Sequence, residues 1–285
     1  KCAGQGVFAD LYELMDEDRD FHREDYFSCI FEAVEIDGKL PAFVYNVQPV
    51  YIHLNKKLLE EAGLEYTEDT ISFKELYGLY EKVRETAGEQ IFLTPDGYGY
   101  EGMCSYETNY FIRNNLIDSD EYEEYLKMCH ELYCVSEYRP SMSNGTMRIA
   151  DDVFCCHSDL KLPGSNANEV FEGTEGMTGA ICYESMHGER YFYGASNVAV
   201  SSFSENKKLA WEFIKYAFSD KETSQEYSSL LSPNKGKAEI VCEGLTPENK
   251  EKLYRDIEAI NTMSYSDMDL NNSFLPIYED YFMNN

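Results

Sequence analysis

Amphipathic helical patterns alternate with short runs of β-branched and aromatic residues along the chain. Residues 39–54 are rich in Val, Tyr, Phe and Ile and predict one or two strands. Residues 55–62 predict a short helix that ends at Gly63, because glycine is favoured just after a helix. Residues 173–194 combine glycines with aromatics and predict strands and loops, and residues 198–200 predict a short buried strand. Such alternation is typical of an α/β protein.

Four longer helices have clear start signals or apolar stripes. Ser72 and Glu75 form a predicted capping box, which is followed by apolar residues at helical spacing. Residues 119–135 predict a second helix, and residues 246–260 predict another that starts with Thr-Pro. The clearest helix is predicted over residues 205–218, with a broad apolar face made of Leu209, Ala210, Phe213, Ile214, Ala217 and Phe218.

Composition and charge narrow the possible functions. The chain has 285 residues, which is about right for two domains, and 43% of them are hydrophobic. The formal net charge of −29 argues against binding to nucleic acid or to an anionic membrane surface, because both need clustered Lys and Arg. A neutral or cationic ligand fits this charge better. No apolar run is long enough to predict a transmembrane helix, and none near Lys1 predicts a signal peptide.

The cysteine pattern predicts neither a disulfide framework nor a metal site. Nine cysteines are an odd number, and no pair has the CxxC spacing. Cys155 and Cys156 are adjacent, which is poor geometry for a disulfide between them. Together with His157 they could ligate a soft metal only if distant residues completed the site, so we expect no metal.

Motifs for catalysis and cofactors are all incomplete. Residues 97–102 match GxGxxG, but neither a strand before them nor a helix after them is predicted, so a turn is the better interpretation. The SxxK pattern of residues 204–207 lacks the partner motifs of serine acyl-transfer enzymes. The sequence therefore predicts no enzyme and no cofactor. A glycosidase stays open as an alternative that a buried pair of facing carboxylates would support.

Several segments in order carry a family resemblance. The stretch Asn-Lys-Lys-Leu-Ala-Trp-Glu-Phe-Ile at 206–214 is similar to an N-K-x-A-W-x-F-I block of the extracellular solute-binding proteins of carbohydrate ABC importers, relatives of maltodextrin-binding protein. Other segments that resemble this family, at matching spacings, are 8–14, 37–41, 54–64, 73–76, 197–201 and 231–235.

The resemblance implies a two-lobe, periplasmic-binding-protein-like fold of type II, with an N-lobe that lacks its first strands. The N-lobe is expected to comprise residues 1–54 and 195–262, and the C-lobe residues 55–194 and 263–285. A solute would bind in the cleft between the lobes, and the lobes would close around it by a hinge motion.

The resemblance also implies a set of ligand-binding residues. They combine amides, which recognise neutral hydroxyls, with aromatic rings, which cover apolar sugar faces. The set is Tyr45, Asn46, Gln48, Asn109, Tyr110, Gly194, Ser196, Asn197, Asn271 and Asn272.

The expected partners are a small solute, most simply a saccharide, and the permease subunits of an ABC transporter. A sugar alcohol, an oligosaccharide and a peptide stay open as ligands. The resemblance implies a monomer outside the cell, anchored as a lipoprotein. The alternative function is a cell-surface interaction module that keeps the lobes without taking part in transport.

Overall fold

The computed structural model describes residues 6–88, 91, 93, 107–108, 110–135, 153–158, 167–174, 176–193, 197–219 and 231–263. Their helices are α1 (Leu11–Glu17), α2 (Ser28–Val34), α3 (Lys56–Glu61), α4 (Phe73–Ala87), α5 (Asp120–Val135), α6 (Ala167–Glu172), α7 (Lys207–Ser219), α8 (Lys235–Val241) and α9 (Pro247–Glu258), with a short 3₁₀ helix at Arg23–Asp25. Their strands are β1 (Phe43–Val44), β2 (Gln48–Pro49), β3 (Tyr51–Leu54), β4 (Thr70–Ser72), β5 (Cys155–Ser158), β6 (Ile181–Glu184), β7 (Tyr191–Tyr193), β8 (Asn197–Val198) and β9 (Thr262–Met263).

The chain divides into two compact units. Unit 1 comprises Lys1–Val50, Asp159–Phe171 and Glu189–Met263. Unit 2 comprises Tyr51–Ser158, Glu172–Gly188 and Ser264–Asn285. The chain passes from unit 1 to unit 2 directly after β2, returns to unit 1 for residues 159–171, and returns to it again directly before β7. The assignment of residues to an N-lobe and a C-lobe stays a prediction.

Unit 2 is organised around a four-stranded sheet with the order β4-β6-β3-β5. Strand β3 pairs antiparallel with both β5 and β6, and β4 pairs parallel with β6. All four residues of β3 are buried, because the strand has a neighbour on each side and helices cover the sheet. The strand predicted within residues 39–54 therefore includes the centre of this sheet.

Helix α4 confirms its predicted capping box. Ser72 Oγ accepts a hydrogen bond from the Glu75 amide, and the Glu75 carboxylate accepts one from the Ser72 amide. The helix then buries an apolar stripe that includes Phe73 and Tyr80. Phe73 packs edge-on against Tyr125 of α5, with ring centroids 5.5 Å apart. The local signals in the sequence thus define both the start and the buried face of this helix.

The end of β3 is held by a fully bonded asparagine. Asn55 is only 4% exposed. Its Oδ1 accepts a hydrogen bond from the Leu58 amide at the start of α3, and its Nδ2 donates one to the Val153 carbonyl at 3.0 Å. One side chain therefore caps a helix and ties two segments of unit 2 together.

A tight loop at residues 173–178 supports the same strand. Thr178 Oγ1 accepts a hydrogen bond from the Leu54 amide, and the Thr178 carbonyl accepts one from His53 Nδ1, both at 2.9 Å. Gly173 has a φ of +79°, and a Cβ at this residue would lie 2.5 Å from the Met177 carbonyl oxygen. Only glycine therefore fits at this position of the loop.

Unit 1 contains two small sheets. Strand β1 pairs antiparallel with β8, and β7 pairs antiparallel with β2 and parallel with β9. Helix α9 begins at its predicted Thr246 cap and buries Leu253 and Ile257, and the ring of Tyr254 meets edge-on that of Phe27, the residue directly before α2. The pairings of β1 with β8 and of β2 with β7 hold the segment of residues 43–50 in place within unit 1.

Helix α7 is present as predicted, but its predicted apolar face is only partly buried. The buried residues are Trp211 and Ile214, whereas Leu209 and Phe213 are exposed. Trp211 explains why the side of the helix that carries it is the buried one. Its indole Nε1 donates a hydrogen bond to Asp18 at 2.8 Å, and its ring packs among aromatic side chains of unit 1. The side chain of Phe218 lies outside the described residues.

Asp18 is a half-buried anchor for this helix. Burial raises the pKa of its carboxyl, but hydrogen bonds from the Lys215 ammonium, the Asp20 amide and the Trp211 indole outweigh that effect and leave the pKa below its ordinary value. The carboxylate is therefore ionised at neutral pH and holds one side of α7 against the rest of unit 1.

Candidate ligand-binding site

The segment of residues 43–50 is tied to three different neighbours in unit 1. Strand β1 pairs with β8, the Val47 amide donates a hydrogen bond to the Leu231 carbonyl at 2.7 Å, and β2 pairs with β7. Most of its backbone is thereby fixed, and the side chains of residues 45 and 46 project from the stretch between two paired strands. This segment contains three of the residues that the resemblance implies as ligand contacts.

Asn46 is the most unusual side chain of this segment. It is 2% exposed, and in the part of the chain that the structure describes neither its Nδ2 nor its Oδ1 has a hydrogen-bond partner. An amide buried in this way costs about 1–3 kcal/mol relative to one that is bonded. Native structures rarely keep such a group without a reason, and a functional role of the group is one such reason.

Three other predicted residues of unit 1 that the structure describes, Tyr45, Gln48 and Asn197, lie on or directly beside strands β1, β2 and β8. Tyr45 and Gln48 are half-buried. Asn197 is exposed, lies opposite Val44 in the β1–β8 pair, and donates from Nδ2 to the Met263 sulfur at 3.8 Å. The pairing thus places Asn197 within two residues of Asn46 in strand register. Among the described residues, the structure therefore places Tyr45, Asn46, Gln48 and Asn197 within one short segment and its paired strand, and their role as ligand contacts stays a prediction.

Tyr110, the predicted stacking residue, lies in unit 2 on the helical residues 110–113. Its ring stacks on the imidazole of His187, with centroids 3.7 Å apart and an interplanar angle of 13°. The ring also meets Phe111 edge-on at 5.7 Å. One face of the tyrosine is therefore covered by protein, and a ligand that stacked on it would use the opposite face.

No pattern along the chain pointed to His187 or to the residue that positions it. Glu107 is fully buried, and its carboxylate accepts hydrogen bonds from the Tyr183 hydroxyl at 2.9 Å and from the Met186 amide at 3.1 Å. These bonds fix the chain directly before His187, whose Nε2 lies 3.5 Å from Glu121. Since these residues are far apart in sequence, no spacing rule could have grouped them.

Five of the predicted ligand-binding residues lie outside the described part of the chain. They are Asn109, Gly194, Ser196, Asn271 and Asn272. The GxGxxG stretch at 97–102 also lies outside it. Their roles stay predictions.

Cys155 and Cys156 are consecutive residues of strand β5 in the sheet of unit 2. Cys155 pairs across the strand with Leu54 and Cys156 with His53, so consecutive side chains point to opposite faces of the sheet. Within the described ranges, no cluster of three or more His, Cys, Asp or Glu side chains could hold a metal ion. Burial, with a smaller effect of Cys156, raises the pKa of the Cys155 thiol well above its ordinary value, which leaves it a poor nucleophile at neutral pH.

Solved structures show which fold this architecture represents. A solute-binding protein of Listeria monocytogenes in complex with cycloalternan, Lmo0181, is 17% identical with a TM-score of 0.58, over 99% of this chain and 76% of its own. An oligogalacturonide-binding protein of Yersinia enterocolitica is 11% identical with a TM-score of 0.61, over 99% of this chain and 77% of its own. The chain therefore has the periplasmic solute-binding-protein fold, and the predicted α/β class is confirmed.

The same fold also occurs in a protein described as an enzyme. A de novo designed cysteine esterase, ECH19, is 14% identical with a TM-score of 0.59, over 98% of this chain and 74% of its own. The fold alone thus does not decide between binding and catalysis.

Two curated proteins are related in sequence. The diacetylchitobiose-binding protein DasA of Streptomyces coelicolor is 26% identical over 255 residues, which is 82% of this chain and 57% of DasA. The probable transcriptional regulatory protein lmo1535 of Listeria monocytogenes is 25% identical over 151 residues, 52% of this chain and 61% of its own. The chain thus spans about three fifths of the length of the curated relatives it matches. No family model matches it.

Proposed function

We propose that this chain is the solute-binding component of an ABC importer and that it binds a neutral, carbohydrate-like solute. The observation that carries the proposal is Asn46, whose buried amide lacks a hydrogen-bond partner among the described residues. The segment that holds Asn46 is otherwise well paired, so this amide is not part of a loosely packed region.

The chemistry of the amide favours a hydroxyl-bearing ligand. Its NH₂ group donates and its carbonyl oxygen accepts, while a sugar hydroxyl can do both. The exposed amide of Asn197 on the neighbouring strand adds a second group of the same kind. The net charge of −29 disfavours an acidic saccharide such as the oligogalacturonide of the Yersinia protein. Neutral sugars like those named for DasA and Lmo0181 fit better.

The face of the Tyr110 ring opposite His187 is the proposed aromatic contact in unit 2. Its opposite face is braced by His187, and His187 is held in turn through the buried Glu107. A rigid aromatic surface of this kind loses little conformational entropy when a sugar ring stacks on it. Such a contact would add affinity without adding charge.

The role in transport follows from the fold and from the proposed ligand. We expect the protein to act outside the cytoplasmic membrane, as a lipoprotein, and to deliver its solute to permease subunits without making or breaking a bond. Closure by a hinge motion is part of the same proposal. Among the described residues, no helix has the length and apolar character needed to cross a bilayer. The relationship to lmo1535 does not lead us to propose a role in transcription, because the charge of −29 opposes binding to DNA.

A thermal-shift screen tests the proposal with defined sugars. The neutral probes are N,N′-diacetylchitobiose and cycloalternan, and the acidic probe is digalacturonic acid. At about a hundred times its Kd, a bound ligand stabilises the fold by about 2.7 kcal/mol, which corresponds to a rise in Tm of about 5–10 °C. We expect such a rise with a neutral sugar and none with the acid. If only digalacturonic acid raised Tm, or if no saccharide did so, the proposal would be wrong.

A further inference from the structure

Among the described residues, the most exposed large apolar side chains lie on α7 or just before it. Leu209, Phe213 and Tyr216 recur at spacings of four and three residues and are 69%, 68% and 65% exposed. Phe203, just before the helix, is 80% exposed. We call these four residues the α7 patch. The opposite side of the helix is buried through Trp211, so α7 is apolar on two sides and covered on one of them.

The area of the α7 patch is comparable with the centre of a protein–protein interface. An aromatic side chain carries about 150–250 Å² of surface, so the exposed parts of three aromatic residues and one leucine add up to roughly 400–600 Å². The largest apolar patch on a typical monomer is about 300–600 Å² and is often functional. A stable interface buries about 800 Å² on each partner, with an apolar centre and a polar rim. The α7 patch therefore supplies the apolar centre that a dimer of ordinary size needs.

The surface around the α7 patch carries little of the negative charge of the chain. Helix α7 contains three lysines and one glutamate, whereas the whole chain has a formal net charge of −29. Lys208 Nζ lies 2.8 Å from Glu17 at the end of α1. Lys215 Nζ lies 2.9 Å from Glu212 and also pairs with Asp18. Because these charges are paired within one unit, two copies can meet at α7 with less repulsion than the net charge suggests.

The spacing of the apolar residues suits the packing of α7 against a second α7. Side chains three and four residues apart form one stripe along a helix, and this spacing is typical of helix–helix seams. A two-fold axis perpendicular to the helix reverses the direction of the second helix. The stripe is then self-complementary if the axis passes near its centre, at Phe213. Phe213 would lie beside Phe213 of the second copy, and Leu209 beside Tyr216 of the second copy.

We propose that the α7 patch is the interface of a homodimer, in which two α7 helices pack antiparallel about a two-fold axis near Phe213. This dimer replaces the monomer that the family resemblance implies. The proposal does not depend on the sugar-binding role, since none of the residues proposed as ligand contacts lies on α7. Because both copies are acidic, the dimer should become tighter as the salt concentration rises, unlike an interface held by ion pairs between the copies.

Reversing the charge at residue 213 tests the interface and its symmetry. By analytical ultracentrifugation in about 0.15 M salt, we expect the unmutated chain to be a dimer at about 50 µM. Phe213→Lys and Phe213→Glu should each be monomeric there, because the axis places like charges side by side. In a mixture of the two variants the charges are opposite, so the mixed dimer should have a Kd at least about tenfold below that of either variant alone. Ile240→Lys, at a 55% exposed residue of α8, is the matched control and should leave the dimer unchanged.

Hydroxyl-radical footprinting of the unmutated chain gives a readout that does not depend on the folding of a variant. Labelling of Phe213 and Tyr216 should fall at least about threefold between about 1 µM and 100 µM protein, while labelling of Ile240 should not change. The proposal is overturned if the chain is monomeric at the highest concentration in both low and high salt, or if Phe213→Lys dimerises as tightly as the unmutated chain. It is also overturned if the mixed variants stay as monomeric as each alone, or if assembly continues beyond two copies, since a closed two-fold dimer leaves no patch free.

Discussion

Two buried asparagines, nine residues apart, lie in very different surroundings. Asn55 in unit 2 is 4% exposed and uses both ends of its amide, to cap α3 and to bond the Val153 carbonyl. Asn46 in unit 1 is 2% exposed and, within the described structure, uses neither end. The same side chain, equally buried, thus stabilises the fold at one position and costs stability at the other.

Asn55 therefore lies in a region that stabilises the fold, whereas Asn46 lies in a candidate binding region. Around Asn55, the loop of residues 173–178 and strand β3 exchange hydrogen bonds in a tight arrangement. Around Asn46, the backbone is paired, but the side-chain amide has no hydrogen-bond partner among the described residues. Proteins accept destabilising groups where function needs them, because a ligand can recover the cost on binding.

The largest expected effect comes from the loop that supports β3. Gly173→Ala should lower the stability by more than about 4 kcal/mol, because the new Cβ meets backbone atoms and the positive φ is strained for alanine. Thermal unfolding should show a fall in Tm of more than about 10 °C. Gly176→Ala in the same loop is the control, since a Cβ there contacts nothing within 4 Å. Similar Tm values for the two variants would mean that this loop is not a rigid support.

Asn55→Leu should have the next largest effect. The substitution removes a helix cap and leaves the Val153 carbonyl without its buried donor, at a cost of about 2–4 kcal/mol. The expected fall in Tm is about 5–15 °C. A neutral result in a denaturation curve would show that the amide of Asn55 contributes nothing to the fold, and the contrast with Asn46 would disappear.

The same substitution at Asn46 should raise the stability of the protein instead of lowering it, and by a smaller amount. Asn46→Leu keeps the branched shape and removes an unpartnered amide, so the ligand-free protein should gain about 1 kcal/mol and about 2–4 °C in Tm. Measuring both leucine variants under one set of conditions cancels most systematic error. A loss of more than about 1 kcal/mol would indicate that the Asn46 amide has a structural role.

Local signals predicted the parts of this fold that depend on neighbours in sequence. The Ser72–Glu75 capping box, the Thr246 cap and the α/β alternation are all determined within a few residues. The buried side of α7 could not be predicted in this way. Apolar residues lie on two sides of that helix, and the contacts of Trp211 with Asp18, Phe21 and Phe43 bury one of these sides.

The candidate site was predicted only in part, for a related reason. The resemblance pointed to Asn46 and Tyr110, but burial without a partner and stacking on His187 are properties of the tertiary structure. Glu107 and His187 meet Tyr183, Met186 and Tyr110 through contacts between distant segments. No pattern along the chain encodes such contacts, so these residues became visible only in the folded protein.

Calorimetric titration of the Asn46→Leu variant is the most direct test of the central claim. The ligand is whichever neutral sugar gives the largest rise in Tm, and Asn206→Leu, at an exposed residue of unit 1, is the control for the substitution itself. We predict that Asn46→Leu raises Kd at least about tenfold, which is a loss of about 1.4 kcal/mol, while Asn206→Leu leaves Kd unchanged. A Kd for Asn46→Leu within about twofold of the unmutated protein would contradict the assignment of Asn46 as a ligand contact.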